Sequence, residues 1–192
     1  MAHDLIVQYK LTTEQINAMI KTSIDGNIVR LRPGMKELLD MLASLSVPVL
    51  IVSAGLKDLI IRFLDVWGVH HANTVVSSNE MSFNEEGVIA SFRNPQVTSR
   101  NKCLTFSRHT NYFMKHKDEG RNRYIVIGDS PRDASIADQL PGESLKFGFY
   151  DGVKAWAKEE DYVAAYDVII RSGDGNLIVE QLKGIFAFQK ES

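Results

Sequence analysis

The chain has 192 residues, of which 44% are hydrophobic and 24% charged, and its formal net charge is −2. This balance is typical of a globular protein with a buried core, and it excludes the strongly basic surface of a protein that binds nucleic acid polymers. One cysteine allows no intrachain disulfide, and no signal-peptide pattern or membrane-length apolar run is present, so we expect a cytoplasmic protein.

The first predicted element is an amphipathic helix that begins after Thr12. Thr12 and Gln15 have the spacing of a capping box, in which two side chains satisfy free backbone donors at the helix start. Apolar residues follow at helical spacing: Ile16, Met19 and Ile20. A second helix is predicted to begin at Pro33-Gly34 and to carry its leucines on one face.

From Val47 onward, apolar strands alternate with helices. Val47–Val52 and Tyr124–Ile127 are short apolar runs, typical of strands buried on both faces of a parallel sheet. The other predicted strands are Thr74–Val76, Leu145–Phe149 and Asp167–Ile170, and the predicted helices are Lys57–Trp67, Asn101–Lys117, Ala134–Gln139, Val153–Glu160 and Leu177–Phe188. Residues 81–92 predict a hairpin at a sheet edge, with a turn closed by Gly87.

This alternation predicts an α/β fold with a doubly wound, mostly parallel, Rossmann-like sheet. Residues 1–32 precede the alternation and are predicted to form a partial helical cap, whereas residues 33–192 are predicted to form the core domain. In such sheets, ligands bind at the carboxyl ends of the strands, so functional residues are expected where strands end.

Gly128-Asp129-Ser130, which we call the acidic loop, follows directly on an apolar strand, and Asp133 lies four residues after Asp129. Two carboxylates at a strand end suit a hard cation such as Mg²⁺, which binds through one or two carboxylates, several waters and substrate phosphate. The alternative for Asp133 is that it caps the helix that follows. Asp129 and Asp133 are thus the candidate metal ligands.

Ser53-Ala54-Gly55, which we call the serine segment, follows the predicted strand Val47–Val52. The Ser53 hydroxyl is suited to donate to a phosphate oxygen, and the amides of Ala54 and Gly55 would face the same anion at the start of the next helix. Lys102 is a candidate phosphate-binding cation further along the chain. The alternatives are that Ser53 only caps a helix and that Lys102 is a solvated surface lysine.

In chain order, Ser53, Lys102 and the acidic loop resemble the second, third and fourth motifs of the haloacid dehalogenase superfamily. The resemblance to one branch, the cytosolic 5'-nucleotidase III or pyrimidine 5'-nucleotidase family, extends from about Leu5 to Ile185. It depends on these segments: Leu31-Arg32-Pro33-Gly34, Ile51–Gly55, Val76-Ser77-Ser78-Asn79, Asn101-Lys102, Asn111-Tyr112-Phe113, Ile127–Ser130 and Ala137-Asp138.

This resemblance implies a Mg²⁺-dependent enzyme that hydrolyses nucleoside 5'-monophosphates, preferably of pyrimidines, to a nucleoside and phosphate. The implied phosphate-binding residues are Ser53, Ala54 and Lys102. Asp129 matches the metal-binding acid of the family, and Asp133 matches the acid that supports the metal loop. In the implied cap, Ser23 is the candidate polar contact to the base.

Two departures from the family pattern bear on activity. The family's nucleophile and acid–base residue lie in an Asp-x-Asp-x-Thr motif, whereas this sequence contains no Asp-x-Asp pair. We expect that the sequence starts within the cap, after that motif, and that the strands before Ser53 and Asp129 each have an unpaired edge. The second departure is Arg132, which stands where the family tends to have glycine.

Three functional hypotheses follow. The leading one is a Mg²⁺-dependent pyrimidine 5'-nucleotidase whose nucleophile is not encoded in these 192 residues. The alternative is a catalytically inactive phosphate- or nucleotide-binding relic or regulatory isoform. A phospho-accepting receiver-type module explains an acid at a strand end, but it does not explain the cap, the hairpin and Lys102 in this order. The expected partner is a nucleoside monophosphate, without a nucleic acid polymer or a membrane, and the sequence does not indicate an oligomeric state.

Overall fold

The computed structural model describes residues 2–98, 101–102, 110–152 and 157–188. The chain divides into two compact units: the first unit consists of Met1–Leu31 and Val49–Thr98, and the second unit consists of Arg32–Pro48 and Ser99–Ser192. This division groups residues 49–98 with the first 31 residues. The assignment of residues 1–32 to a cap and of 33–192 to a core stays a prediction.

Helices and strands alternate along most of the chain. In chain order the elements are α1 Ala2–Gln8, α2 Thr13–Asp25, α3 Met35–Ser44, β1 Val49–Leu56, α4 Lys57–Val66, β2 Thr74–Asn79, β3 Met81–Phe83, β4 Ile89–Phe92, α5 Thr110–Asp118, β5 Arg123–Gly128, α6 Pro131–Ala134, a 3₁₀ helix Ser135–Gln139, β6 Glu143–Phe149, α7 Glu159–Ala165, β7 Val168–Ile170 and α8 Asn176–Phe188. None of the described helices is long and apolar enough to cross a membrane.

Helix α2 begins at the capping box that its sequence predicts. The Thr12 hydroxyl accepts a hydrogen bond from the backbone N–H of Gln15 at 3.2 Å, and the Gln15 side chain accepts one from the N–H of Thr12 at 2.9 Å. The N–H of Thr13 donates to the carbonyl of Gly87 in the hairpin turn. Because these bonds satisfy donors that a helix start leaves open, they define where α2 begins and join it to the hairpin.

The apolar face of α2 packs against the hairpin in the first unit. Their shared buried cluster consists of Ile16, Ile20, Met81, Ile89 and Phe92. Strands β3 and β4 form an antiparallel sheet of their own, so the expectation that the hairpin lies at the edge of the parallel sheet is wrong. The apolar side chains of the hairpin pack instead against helix α2.

The remaining described strands pair in parallel, which confirms the α/β class. In the first unit β1 pairs with β2, and in the second unit the strand order is β5-β6-β7. Among the described residues, β1 pairs only with β2 and β5 only with β6, so each has the unpaired edge that was expected. The side chains of β1 are accordingly half-buried rather than fully buried.

Helices α3 and α8 pack together in the second unit through a close backbone approach. Gly34, directly before α3, has a left-handed φ of +76°. A Cβ built on it would lie 2.3 Å from the backbone nitrogen of Asn176, at the start of α8. The N–H of Gly175 donates to the carbonyl of Pro33 at 2.8 Å. Glycine is therefore required at position 34 both by its φ and by the absence of space for a side chain.

Several predicted element bounds differ from the observed ones. Strand β1 begins at Val49 and continues to Leu56, because Leu56 still pairs with Asn79 after a register shift. The helix predicted over 134–139 begins at Pro131 as α6 and continues as the 3₁₀ helix. The helix predicted over 153–160 is observed as α7 only from Glu159, and residues 153–156 lie outside the described residues, as do residues 103–109 of the helix predicted over 101–117.

Candidate functional site

The acidic loop joins β5 to α6 in the second unit. Strand β5 ends at Gly128, and the Ser130 hydroxyl accepts a hydrogen bond from the N–H of Arg132 at 3.3 Å as the cap of α6. The N–H of Asp133 donates to the carbonyl of Ser130 at 2.9 Å. The cap of this helix is thus Ser130, and the alternative role of Asp133 as the cap is wrong. Asp129 is exposed at the end of the strand.

The predicted metal ligand Asp133 and the predicted phosphate ligand Lys102 form an ion pair. The Nζ of Lys102 lies 2.9 Å from Oδ1 of Asp133, and the two side chains are only 21% and 11% exposed. Lys102 is therefore not a solvated surface lysine, which was the alternative to a functional role. A charged pair that is largely removed from water requires a close partner for each charge, and each residue supplies that partner to the other.

The carboxylates of this loop fit a hard divalent cation. Asp129 is an exposed carboxylate at the end of β5, and Lys102 binds Asp133 through its Oδ1 atom. Among the described residues, no three His, Cys, Asp or Glu side chains cluster so that they would hold a metal ion unaided. Mg²⁺ commonly takes one or two carboxylates and completes its shell with water and phosphate oxygens, so the donor set fits it.

Two tyrosines hold the backbone of the acidic loop: Tyr162 lies within α7, and Tyr166 directly follows that helix. The hydroxyl of Tyr162 donates to the carbonyl of Asp129 at 2.7 Å, and the hydroxyl of Tyr166 donates to the carbonyl of Ser130 at 2.5 Å. Burial raises the pKa of both hydroxyls, and the nearby Asp129 and Asp133 raise it further. Both hydroxyls are therefore protonated donors near neutral pH.

The two tyrosines were not predicted from the sequence. The helix that carries Tyr162 was predicted over 153–160, which excludes both tyrosines. A partial signal was present in two glycines: Gly128 is the last residue of β5, and it lies opposite Gly148, the second-last residue of β6. A Cβ on Gly128 would lie 2.4 Å from the Tyr166 hydroxyl, and one on Gly148 would lie 2.4 Å from its ring.

The serine segment lies at the carboxyl end of β1 in the first unit. The Ser53 hydroxyl accepts a hydrogen bond from the N–H of Gly55 at 3.0 Å. Helix α4 begins only at Lys57, and its N-cap residue Leu56 makes no side-chain cap bond. Two expectations are therefore wrong: Ser53 is not a helix cap, and the amides of the segment are not at the helix start. The reason is that the chain stays extended until Leu56 has paired with β2.

The buried side chain of Asn79, at the end of β2, fixes the serine segment. Its Nδ2 donates to the carbonyls of Ala54 and Val97, both at 2.8 Å, and its Oδ1 accepts from the N–H of Val97 at 2.7 Å. The neighbouring Ser78 hydroxyl donates to the carbonyl of Gly55 at 2.6 Å. Asn79 is 2% exposed, so its amide bonds are shielded from water. The sequence motif that ends in Asn79 thus has a structural role next to the serine segment.

The predicted site residues divide between the two units. Lys102, Asp129 and Asp133 come together around the acidic loop of the second unit. Ser23, Ser53 and Ala54 belong to the first unit. The hydroxyl of Ser23 donates to the carbonyl of Met19 one turn earlier in α2 at 2.8 Å, as helical serines commonly do. Its role as a base contact stays a prediction.

Comparison with known proteins identifies similar sequences over most of the chain. A family model described as pyrimidine 5'-nucleotidase (UMPH-1) matches residues 1–184. The 7-methylguanosine phosphate-specific 5'-nucleotidase of Homo sapiens is 31% identical over 175 residues, which are 90% of this chain and 56% of the human protein. The protein of the same description from Gallus gallus is 33% identical over 175 residues, which are 90% of this chain and 58% of that protein.

Two solved structures share the fold. The crystal structure of cytosolic 5'-nucleotidase IIIB bound to cytidine matches with a TM-score of 0.77 and 24% identity, over 95% of this chain and 60% of that one. A probable phosphoserine phosphatase from Vibrio cholerae matches with a TM-score of 0.65 and 15% identity, over 97% of this chain and 51% of that one. These likenesses confirm the predicted haloacid dehalogenase-type fold. The chain spans a little over half the length of the relatives it matches.

Proposed function

We propose that this chain, which belongs to the pyrimidine 5'-nucleotidase (UMPH-1) family, provides the metal- and phosphate-binding part of a 5'-nucleotidase. Members of the family are phosphoric monoester hydrolases. The reaction proposed for the whole protein is the hydrolysis of nucleoside 5'-monophosphates to a nucleoside and inorganic phosphate. The observation that carries the proposal is the ion pair between Lys102 and Asp133 beside the acidic loop.

In this proposal the residues of the second unit are charged, and they offset the negative charge of the phosphate. Asp129 and Asp133 would hold Mg²⁺, which supplies neutralisation of the phosphate oxygens when bound. The ammonium of Lys102, already held at 2.9 Å from Asp133, would attract the dianionic phosphate as a point charge. Charges that the fold already holds in place stabilise the transition state of phosphoryl transfer, because the protein does not have to reorganise them when the charge of the reacting group changes.

The groups that we propose for phosphate binding in the first unit are uncharged hydrogen-bond donors. The Ser53 hydroxyl would donate to a phosphate oxygen, and the Ala54 amide would do the same. Asn79 supports this by bonding the carbonyl of Ala54, because a peptide group with a fixed carbonyl also has a fixed N–H direction. Ser23 is proposed as a polar contact to the base.

The proposed substrates are nucleoside monophosphates with a pyrimidine or a 7-methylguanine base. The family name supports the first class, and the names of the human and chicken relatives support the second. We further propose a cytoplasmic location, in keeping with the description of the structural relative as cytosolic.

A second candidate function is binding of the nucleotide without turnover. The specific observation that favours it is that the 192 residues contain no Asp-x-Asp pair, the motif to which the resemblance assigns the nucleophile and the acid–base residue. Without a covalent nucleophile, the remaining groups would bind and polarise phosphate but would not accept the phosphoryl group.

Nucleotide binding and phosphate release, measured on the same purified chain, test the proposal. The chain is titrated with CMP and 7-methyl-GMP in Mg²⁺ or EDTA, and released phosphate is measured in parallel. Binding that requires Mg²⁺ supports the proposed site. Phosphate release that is lost in Asp129→Asn would eliminate the binding-only candidate. Absence of both binding and release would contradict the proposal itself.

A further inference from the structure

Two consecutive backbone carbonyls of the acidic loop each accept a hydrogen bond from a buried tyrosine. Tyr162 donates to the carbonyl of Asp129, and Tyr166 donates to that of Ser130. The two residues are one helical turn apart, and their side chains are stacked with ring centroids 6.0 Å apart. Tyr162 is 1% exposed and Tyr166 is 5% exposed. A pair of buried, stacked rings therefore contacts the loop at two adjacent peptide groups.

Two glycines make room for this contact. A Cβ atom added to Gly148 would lie 2.4 Å from the ring of Tyr166. A Cβ atom added to Gly128 would lie 2.4 Å from the hydroxyl oxygen of Tyr166. Gly128 and Gly148 are register partners near the ends of β5 and β6. Any larger residue at either position would push Tyr166 away from the loop. We call this space beside Gly128 and Gly148 the slot for Tyr166.

The chemical effect of the two bonds is on the direction of the Asp129 carboxylate. The carbonyls of Asp129 and Ser130 belong to the two planar peptide groups that follow the Asp129 Cα atom. Because a hydrogen bond holds each of these two planes, the backbone that carries the exposed Asp129 side chain is restricted on its C-terminal side. Divalent cations require ligand oxygens within a few tenths of an ångström of the preferred distance, so a fixed backbone favours binding.

We propose that Tyr162 and Tyr166 are positioning residues, which hold the acidic loop so that Asp129 is directed toward a divalent cation. The inference deepens the proposed function and rests on it. Neither tyrosine is expected to contact the metal or the phosphate. Their hydroxyls act through the loop backbone, in the way that groups behind a metal ligand commonly set its affinity.

The test measures Mn²⁺ binding to the full chain. Electron paramagnetic resonance detects the Mn²⁺ that stays free in solution, and the bound fraction is obtained by difference. Tyr162→Phe and Tyr166→Phe each remove one hydroxyl and keep the ring, and we expect each to weaken Mn²⁺ binding by about tenfold. Tyr150→Phe is the matched control. The ring of Tyr150 packs edge-on against that of Tyr162, with centroids 5.0 Å apart, but among the described residues its hydroxyl makes no hydrogen bond to the loop. Its Mn²⁺ affinity is expected to equal that of the wild type.

A second control separates positioning from general stability. Val179→Ala truncates a buried side chain of α8, which is 2% exposed and belongs to the same unit. It lowers stability at a position in α8, the helix that packs against α3, so Mn²⁺ affinity should stay within about twofold of the wild type at a temperature where the chain is folded. If this variant loses as much Mn²⁺ affinity as the tyrosine variants, their effect is one of stability, and the inference is overturned.

The outcomes for the inference and for the proposed function are distinguishable. If Asp129→Asn loses Mn²⁺ while folded Tyr162→Phe and Tyr166→Phe bind it like the wild type, the metal site stands and the positioning role is overturned. If the wild type binds no Mn²⁺, or Asp129→Asn binds it equally well, the proposed metal site fails and the inference fails with it. A tenfold loss in the tyrosine variants, with both controls unchanged, supports the inference.

Discussion

The ammonium group of Lys102 lies 2.9 Å from Oδ1 of Asp133, in a pair that is only 21% and 11% exposed. Because the pair is largely removed from water, loss of either partner leaves a charge without compensation. We predict that Lys102→Met destabilises the second unit by about 3 kcal/mol and that Asp133→Asn has an effect of similar size. Urea unfolding of both single variants and the double variant gives the coupling energy, which should be about 1–3 kcal/mol.

The matched control for this cycle is another lysine–aspartate pair of the same unit. Lys36 and Asp40 are 3.1 Å apart, but their side chains are 59% and 43% exposed. An exposed pair one helical turn apart should couple by only about 0.3–0.5 kcal/mol. Equal coupling in the two pairs would show that burial does not strengthen the Lys102 pair, contrary to the account of the site.

Gly128 is predicted to be intolerant of a methyl group. In Gly128→Ala the new Cβ would lie 2.4 Å from the Tyr166 hydroxyl and 2.6 Å from the Asp133 Cβ, so one of them must move. We expect a loss of about 1–3 kcal/mol, measured by urea unfolding. Gly184→Ala is the control, because nothing lies within 4 Å of its Cβ position in α8, and it should stabilise the chain by up to about 1 kcal/mol. Stabilisation by both substitutions would disprove the slot for Tyr166.

Asn79 is predicted to be the polar residue on which the first unit depends most. Asn79→Ala leaves the carbonyls of Ala54 and Val97 and the N–H of Val97 without their partner. Each buried group left unsatisfied costs about 1–3 kcal/mol, so the loss should exceed that of Ser78→Ala, which removes one bond at the same segment. The free energies of unfolding decide between them. A smaller loss for Asn79→Ala than for Ser78→Ala would contradict this assignment.

The pKa of Tyr166 predicts how the second unit responds to alkaline pH. Burial, followed by the charges of Asp133 and Asp129, raises this pKa above that of an unfolded tyrosine, which is about 10. The stabilisation from Tyr166 is therefore fully present below about pH 10 and is lost as the pH rises through the folded pKa. Tyr166→Phe should be less stable than the wild type at pH 8, and the difference should shrink by pH 11 in urea unfolding. A constant difference would show that the hydroxyl ionises equally in both states.

Asp129 and Ser53, two of the residues that the sequence identified, lie at the carboxyl ends of strands. The alternation of apolar strands and helices predicted where Asp129 and Ser53 would lie, because a buried parallel strand delivers the residue that follows it to the ligand-binding edge of the sheet. The capping box at Thr12 was equally predictable, since it is a local feature, whereas α3 begins at Met35, shortly after the predicted start at Pro33-Gly34. The pairing of Lys102 with Asp133 was not predictable in this way, as the two are 31 residues apart.

The contacts that hold the site could not be predicted, because they depend on the register of neighbouring elements. Tyr166 reaches the acidic loop only since Gly128 lies opposite Gly148 in the sheet, and no local pattern fixes that register. The predicted end of β1 is too early for a similar reason. Leu56 resumes pairing with Asn79 after an irregular step, which sequence periodicity does not show.

Linkage between Mg²⁺ and nucleotide binding tests the central claim, that this chain binds a nucleoside monophosphate through a metal held by Asp129. The dissociation constant of CMP is measured by calorimetry across a series of Mg²⁺ concentrations, for the wild type and Asp129→Asn. We predict that saturating Mg²⁺ tightens CMP binding at least about tenfold in the wild type and leaves Asp129→Asn unchanged, because Mg²⁺ held by Asp129 would supply positive charge to the phosphate. Binding of CMP that is independent of Mg²⁺, or equal Mg²⁺ dependence in the variant, would contradict the account.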